Sequence, residues 1–343
     1  MPKRPQVPPT IEDIARQLNL SAMTVSRALR GHSNVSEITR RKVLQAAQQL
    51  NYKPNRWARS LVTQKSHIIG IVIPDISHMF FAEIARGVEE TIDSEGYDLL
   101  LCHSRRDPER ERHELDMLMG SRVDGLIVAS EQPQDDPRTF LELQERGVPF
   151  VLIDRFFRRL DCPYVGVNDR AVGRLATEHL IQLGHTCIAH ILGPAVSTGL
   201  LRYQGYLKAM KAHGIAVNPD WVVQGSFDND SGREAMLRLL AGKQRPTAIF
   251  AANDPSAIGV IEACREAGLR IPADISIVGA GNIEGAIHPS PFLTTADWPR
   301  LELGRTAAKM LLGLITRGQA GSAQRKIFSP RILMRQSTGP PGR

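Results

Sequence analysis

Cysteine is scarce in this chain, four residues in 343, and Cys102, Cys162, Cys187 and Cys264 are scattered with no C-x-x-C pair among them. That spacing implies neither a zinc knuckle nor a disulfide framework and leaves reduced, mostly buried thiols as the expectation. Also missing is any run approaching the ~18 to 20 apolar residues that span a bilayer. The opening MPKRPQVPPT lacks the apolar segment of a secretory signal, so a cytoplasmic protein with no membrane partner is expected. Catalytic signatures are absent too: no G-x-S-x-G elbow, no G-x-x-x-x-G-K-[ST] loop, no H-E-x-x-H and no strand-linked G-x-G-x-x-G. DNDSG at 228–232 has too few calcium ligands and reads as a helix N-terminus, while His185 and His190 stand alone as structural histidines do. Neither an enzyme, a metal site nor a cofactor is expected.

What is present is an ordinary soluble composition, 42% hydrophobic and 23% charged, long enough for two or three compact units. Its charge is unevenly placed. Residues 1–66 hold 12 basic against 3 acidic residues, a net of +9, while the rest of the chain holds 31 against 33. A small basic module joined to a nearly neutral body suits a partner that is itself acidic.

Within that module, LSAMTVSRALRG at 20–31 reads as a capped helix with Ser21 as N-cap. Val25, Ala28 and Leu29 fall at helical spacing on an inward stripe, which turns Ala22, Met23, Ser26 and Arg27 outward. Small side chains let a helix sit deep in a major groove, hydroxyls reach phosphates, and a guanidinium grips guanine in two places. Upstream, Thr10-Ile-Glu-Asp13 resembles a capping box and opens a helix with Ile11, Ile14, Ala15 and Leu18 on one face. Downstream a third helix starts from Ser36, with Val43, Ala46, Ala47 and Leu50 apolar and Arg40, Arg41 and Lys42 exposed. Three short helices with a tight turn between the first two make a helix-turn-helix. A three-helix protein-interaction module is the alternative, and the basic excess argues against it.

From Ser66 the pattern becomes βαβ. HIIGIVIP, YDLLLCHS, DGLIVAS and PFVLIDR read as buried strands separated by helices from near Phe80, Pro108 and Thr139. A second set follows, with strands CIAHILG, WVVQGSF, TAIFAAN and ISIVGAG and helices over 169–183, 201–213, 231–241 and 255–267. Two Rossmann-like lobes are the expectation, with a cleft between them as the place for a small molecule.

TIEDIARQLNLSAMTVSRALRG, then NYKPNRWARSL, then an α/β core together resemble the lactose-repressor (LacI/GalR) family of bacterial transcription regulators, from about Thr10 to about Ile332. The resemblance implies an α/β protein with an N-terminal helix-turn-helix at 1–50, a hinge helix and linker at 51–65, and a two-lobed core of periplasmic-binding-protein type at 66–343. Lobe 1 would cover about 66–166 and 297–335, the helix 299–317 and the strand near 328–334 returning to it, and lobe 2 about 167–296. DNA contacts are implied for Thr10, Ser21, Ala22, Met23, Thr24, Ser26 and Arg27, and for Asn34 and Ser36. In the hinge, Asn55 and Ala58 would join them, with Leu61 as a minor-groove wedge. Trp57 is bulky where relatives carry a small or β-branched residue. One such module reads half a site, so a homodimer on a near-palindromic double-stranded operator is expected. The tail RQSTGPPGR has no heptad pattern for a tetramer.

The resemblance places Phe80, Phe81, Asp154, Asp169, Thr198, Arg202, Phe227, Asn253 and Asp254 at an effector pocket, in company with Asn168. Carboxylate, amide and guanidinium groups can take paired hydroxyls and an aromatic face can cover a sugar ring, so these types suit a sugar or sugar derivative. One departure stands out: where relatives read V-G-[YF]-D-[DN], this chain has Val278-Gly-Ala280-Gly281-Asn282. The usual carboxylate is lost: either Asn282 or a water replaces it, or the effector is larger, more acidic or differently placed, and with Arg202 deprived of that anionic partner an acidic sugar gains ground. The implied function is a repressor switched by a small sugar-like effector. The alternatives are a periplasmic-type sugar receptor, which has no use for the first 65 residues, and a corepressor-dependent or global regulator.

Overall fold

The computed structural model describes residues 9–29, 33–52, 65–283, 292–317 and 324–342. The chain divides into two compact units, Met1–Ser66 and His67–Arg343. Asn55, Trp57, Ala58 and Leu61, on which the hinge-helix expectation rests, lie outside the described residues.

The first unit contains α1 (Ile11–Leu18), α2 (Ala22–Leu29) and α3 (Glu37–Gln49). Each starts on a hydroxyl cap, because the free N–H groups of a first turn need acceptors. Thr10 Oγ1 accepts from Asp13 N at 3.3 Å while the Asp13 carboxylate accepts from Thr10 N at 2.9 Å, completing the capping box. Ser21 Oγ accepts from Thr24 N at 3.1 Å and Ser36 Oγ from Thr39 N at 3.2 Å. Asn19, in the left-handed region at φ 50°, ends α1 and makes the turn. Ile14, Ala15, Val25, Ala28, Val43, Ala46 and Ala47 form the core, whose small residues let the helices approach closely. Arg40 is half-buried, with a salt-bridge distance of 3.4 Å to Glu37, whereas Arg41 and Lys42 are exposed as expected.

The second unit is built on two sheets. Strands β1 (Ile68–Ile73), β2 (Asp98–His103), β3 (Gly125–Val128), β4 (Phe150–Ile153), β5 (Tyr164–Val167) and β11 (Arg325–Phe328) run parallel in the order β11-β5-β4-β3-β1-β2. The second sheet has the order β12-β10-β9-β8-β6-β7, from β6 (Ile188–Leu192), β7 (Val222–Gln224), β8 (Ala248–Ala251), β9 (Ser276–Ala280), β10 (Thr294–Asp297) and β12 (Arg331–Leu333). Their connections are α4 (Met79–Asp93), α5 (Pro108–Gly120), α6 (Arg138–Glu145), α7 (Asp169–Gln182), α8 (Ser197–Ala212), α9 (Asn229–Ala241), α10 (Asp254–Glu266) and α11 (Arg300–Arg317). Among the described residues no helix is long and apolar enough to cross a membrane.

The chain crosses between lobes after β5, after β10 and again between β11 and β12. That last crossing corrects the expected lobe boundary. β11 completes the first sheet, but β12 pairs antiparallel with β10, from Thr295 with Leu333 to Asp297 with Arg331, so residues from Arg331 onward belong to the second lobe. The tail is anchored there by Ser337, whose hydroxyl donates to the Ile277 carbonyl at 2.6 Å and accepts from Thr294 N at 2.8 Å.

α11 does return to the first lobe, where it lies against α4. The two backbones approach so closely that a Cβ on Gly304 would sit 2.1 Å from the Ile84 carbonyl oxygen. Alanine favours a helix over glycine by about 1 kcal/mol. Here the backbone clash outweighs that gain, so Gly304→Ala should destabilise the full chain by about 1–3 kcal/mol in urea unfolding. An unchanged or raised midpoint would show that the helices can separate freely.

Candidate functional site

Both sheets carry their loops at the carboxyl ends of the strands, and those ends face a cavity of about 150 Å³ lined from both lobes. At roughly 10–15 Å³ per water, this is space on the order of ten water molecules. From the first lobe come Pro74, His78, Phe80, Phe81, Arg106, Glu131, Asp154, Arg155 and Trp298. From the second come Thr198, Arg202, Phe227, Asn253, Ala280 and Gly281, among others.

Seven of the residues expected at a pocket are therefore brought together, and Asn168, which caps α7 by accepting from Ala171 N at 3.1 Å, Asp169 and Asp254 are not. Asp169, the first residue of α7, lies behind Arg202 and accepts from its Nε at 2.9 Å. Asp254 is equally buried and accepts from Thr295 Oγ1 at 2.6 Å and from Ile283 N at 2.9 Å, so its carboxylate holds the loop after β9 in place. Asn253 lines the cavity with its amide already engaged. It caps α10 through Ser256 N and donates to the Phe227 carbonyl at 3.0 Å.

Arg202 is the pivot of the second lobe's wall. Only 4% exposed, it gives Nε to Asp169 and Nη1 to the Ala252 carbonyl at 2.8 Å, and its guanidinium lies 5.3 Å from the Trp298 ring and 5.7 Å from Phe227. The expectation that the loss of a carboxylate at Gly281 would leave Arg202 without an anionic partner is thus corrected: Asp169 is that partner. Nor does Asn282 replace the lost group. Its amide donates to Asp297 at 3.0 Å and accepts from Arg335 at 2.5 Å.

Sequence reasoning missed Arg106, Glu131, Arg155 and Trp298. Arg155 is held against Glu131 Oε2 at 2.6 Å and the Ser130 carbonyl at 3.0 Å. Arg106, at φ 60°, spans the cleft: it reaches Asp75 of its own lobe at 3.3 Å and Asp228 of the other at 3.0 Å. Asp154 too has a left-handed backbone, φ 66°, and such strain in non-glycine residues gathers where a site is being shaped. The signals available were the Asp154-Arg155 pair in VLIDR, the Ser-Glu after a buried strand and the Trp closing TTADW.

Burial sets the protonation of this site. It holds the Asp169 carboxyl up at about 7 against the pull of Arg202, and it raises Asp154 as well. The His78 imidazole is pulled down to about 4 by burial and then by Arg106, consistent with its Nδ1 accepting from Phe80 N at 3.2 Å. Behind the cavity, burial raises Glu111 to about 7 although Glu131 N and Ser130 Oγ both donate to it.

In the first unit, Ala22, Met23, Arg27 and Asn34 are exposed and Ser26 is half-buried. The hydroxyls of Thr10, Ser21, Thr24 and Ser36 are bonded within caps: Thr10 Oγ1 donates to Asp13, and Ser21 and Ser36 pair with Thr24 and Thr39 at 2.8 Å.

A basic helix-turn-helix unit joined to a two-lobed core with a polar and aromatic cleft defines a ligand-responsive DNA-binding regulator. Residues 10–55 match the family described as bacterial regulatory proteins, lacI family, and residues 177–338 match a periplasmic binding protein-like domain. The chain belongs to the LacI family, and it is a DNA-binding transcription regulator, not an enzyme. It is 40% identical over 331 residues to the HTH-type transcriptional repressor PurR of Proteus mirabilis (strain HI4320), covering 96% of each chain. The PurR of Haemophilus influenzae (strain PittEE) is 37% identical over 331 residues, 96% of this chain and 98% of that one. Among solved structures it resembles the lac repressor dimer bound to operator and the anti-inducer ONPF, with TM-score 0.85, 30% identity and coverage of 97% of this chain and 100% of that one. It also resembles the CelR–cellobiose complex, with TM-score 0.72, 31% identity and coverage of 96% and 99%.

Glu111 offers a pH test of the wall it supports. Because its folded pKa lies above the usual 4.5, the stability it contributes is present below that value and is lost as pH rises through about 7. Glu111→Gln removes this titration, so the variant's melting temperature should gain on the native protein's by about 4 °C or more from about pH 5 to about pH 8. His78 and His190, both lowered to about 4 by burial, act in the opposite sense and cancel in the comparison. A constant gap would mean that Glu111 is not protonated in the folded state.

Proposed function

We propose that this protein is a homodimeric transcriptional repressor that binds a near-palindromic operator in the cytoplasm and is switched by a small, uncharged, sugar-like effector held between its lobes. The observation that carries the reading is the cleft itself: aromatic rings from both lobes enclose paired charges, the surroundings in which a ring with hydroxyl edges is covered on its faces and bonded at its rim. Relatives support the ligand class, since one solved structure holds cellobiose and another, from Enterococcus faecium, holds bound ribose. A ligand that touches both lobes can bias their arrangement, and only such a differential contact can change DNA affinity. Phe80, Phe81, Asp154, Thr198, Arg202, Phe227 and Asn253 form the effector wall. Asp169 and Asp254 act from behind it.

On DNA, Ala22, Met23, Ser26 and Arg27 would read base edges, with Asn34, Thr24 and the helix N-termini capped by Thr10, Ser21 and Ser36 facing phosphates; Asn55, Ala58 and Leu61 would act at the hinge. Arg27→Ala should cost about 1–3 kcal/mol of preference for operator over random duplex, because a bidentate contact specifies a base. Arg41→Ala, by contrast, should weaken both alike and flatten the salt dependence. Fluorescence anisotropy on both duplexes decides it, and equal losses for Arg27→Ala would remove its base-reading role. For the effector, a thermal-shift screen of sugars should find one whose saturation stabilises the native state by about 2.7 kcal/mol at a hundred times its Kd. A ligand that raises the melting temperature without altering operator affinity would contradict the switch.

A further inference from the structure

The loop that follows β3 is built with unusual care for an exposed-end connection. Ser130 Oγ donates to Glu111 Oε1 at 2.7 Å, and Glu131 N donates to the other oxygen of the same buried carboxyl. Gln132 is tied to α5 twice, through the Pro108 carbonyl and through Arg112, each at 2.8 Å. These bonds fix the Glu131 side chain, 8% exposed, in the cavity wall. Its Oε2 receives Arg155 at 2.6 Å, yet its Oε1 is buried without a hydrogen-bond partner. A buried acceptor left unpaired is unfavourable and uncommon in native proteins, so a position this well organised calls for a donor from outside the chain.

Three more atoms of residues in the same wall share that condition, Thr198 Oγ1 from the second lobe and Trp298 Nε1 and Arg155 Nε from the first. An indole N–H can only donate and an ionised carboxylate can only accept, while a threonine hydroxyl does both. A hydroxyl, which donates and accepts through one atom, can answer either kind. Charge points the same way. Each guanidinium lining the cavity already has carboxylate partners: Asp75 and Asp228 for Arg106, Glu131 and Asp154 for Arg155, and Asp169 for Arg202. An anionic ligand would meet Glu131 beside guanidiniums that each already face a carboxylate.

Resting on the effector reading of the cleft, we infer that Glu131 is a specificity-determining residue that accepts a hydrogen bond from a hydroxyl of the effector and bars its anionic analogues. The ligand class is then a neutral polyol, and Trp298 and Thr198 complete the contact from opposite lobes.

Titration calorimetry on the full chain with D-ribose and D-ribonate, D-glucose and D-gluconate, and cellobiose and cellobionate tests this. The neutral member of at least one pair binds and its acid binds at least about tenfold more weakly. Glu131→Gln weakens the neutral sugar by about ten- to a hundredfold and narrows its advantage over the acid, since the repelling charge is gone. Because losing this charge also releases Arg155 to receive the acid, the weakening of the neutral sugar is what separates a hydroxyl contact from a residue that merely holds Arg155. Trp298→Phe, which removes the N–H and keeps an aromatic ring, gives a second, independent weakening, and melting curves without sugar confirm that both variants fold. A native preference for an acid, or a ratio unchanged in Glu131→Gln, overturns the inference while leaving the cleft a sugar site. Failure of all six sugars to bind overturns the sugar reading and this inference with it.

Discussion

A guanidinium does not give up its proton in a protein, so burying one demands a partner of opposite charge and acceptors for its N–H groups. Arg202 imposes that demand at the centre of the second lobe. Asp169 must come forward on the first turn of α7, β8 must end so that the Ala252 carbonyl is free to accept, and α7 and α8 must cross at close range. The crossing is possible because α7 carries glycine at 173, where a Cβ would lie 1.9 Å from the carbonyl oxygen of Arg202 itself. Phe227 and Trp298, one from each lobe, then close over the guanidinium. Without these partners the buried charge would be prohibitive.

The same accounting explains why the cleft is rich in charge and yet poor in net charge. Its arginines are matched by carboxylates, and burial pushes Asp154 and Asp169 toward their neutral forms, which limits the cost of packing several acids together. The uncompensated charge of the chain lies elsewhere, in the first 66 residues, where phosphates would meet it. One polypeptide thus separates a basic unit from a cavity whose charges are matched in pairs. The bonds that cross the cleft, such as Arg106 with Asp228 and Phe156 N with Ser197 Oγ at 3.1 Å, are the contacts that a change in lobe arrangement would have to exchange.

Local features were the most legible in the sequence. The caps of α1, α2 and α3 and the inward stripe Val25, Ala28 and Leu29 depend on residues three or four apart, and the strands read as short apolar runs for the same reason. β5 and β10 were not singled out as strands, being four residues each with polar or small members. What escaped was non-local. Nothing near Arg331 reveals that β12 pairs with β10 rather than following β11, and nothing near Asp254 reveals Thr295 as its partner. The Gly281 departure is visible in the sequence but its consequence is not, because the partner of Arg202 is Asp169, 33 positions away. Glu131 and Trp298 were missed because a single acid or indole at a strand end carries no periodic signal.

The central claim is that two copies of this chain read DNA by sequence under the control of the cleft, and selection of binding sites from a random duplex pool by the full-length protein tests it most directly. The account predicts enrichment of one near-palindrome with two half-sites, at an affinity several orders of magnitude above that for random duplex. Enrichment of no sequence, or of a single isolated half-site bound by one chain, would contradict it.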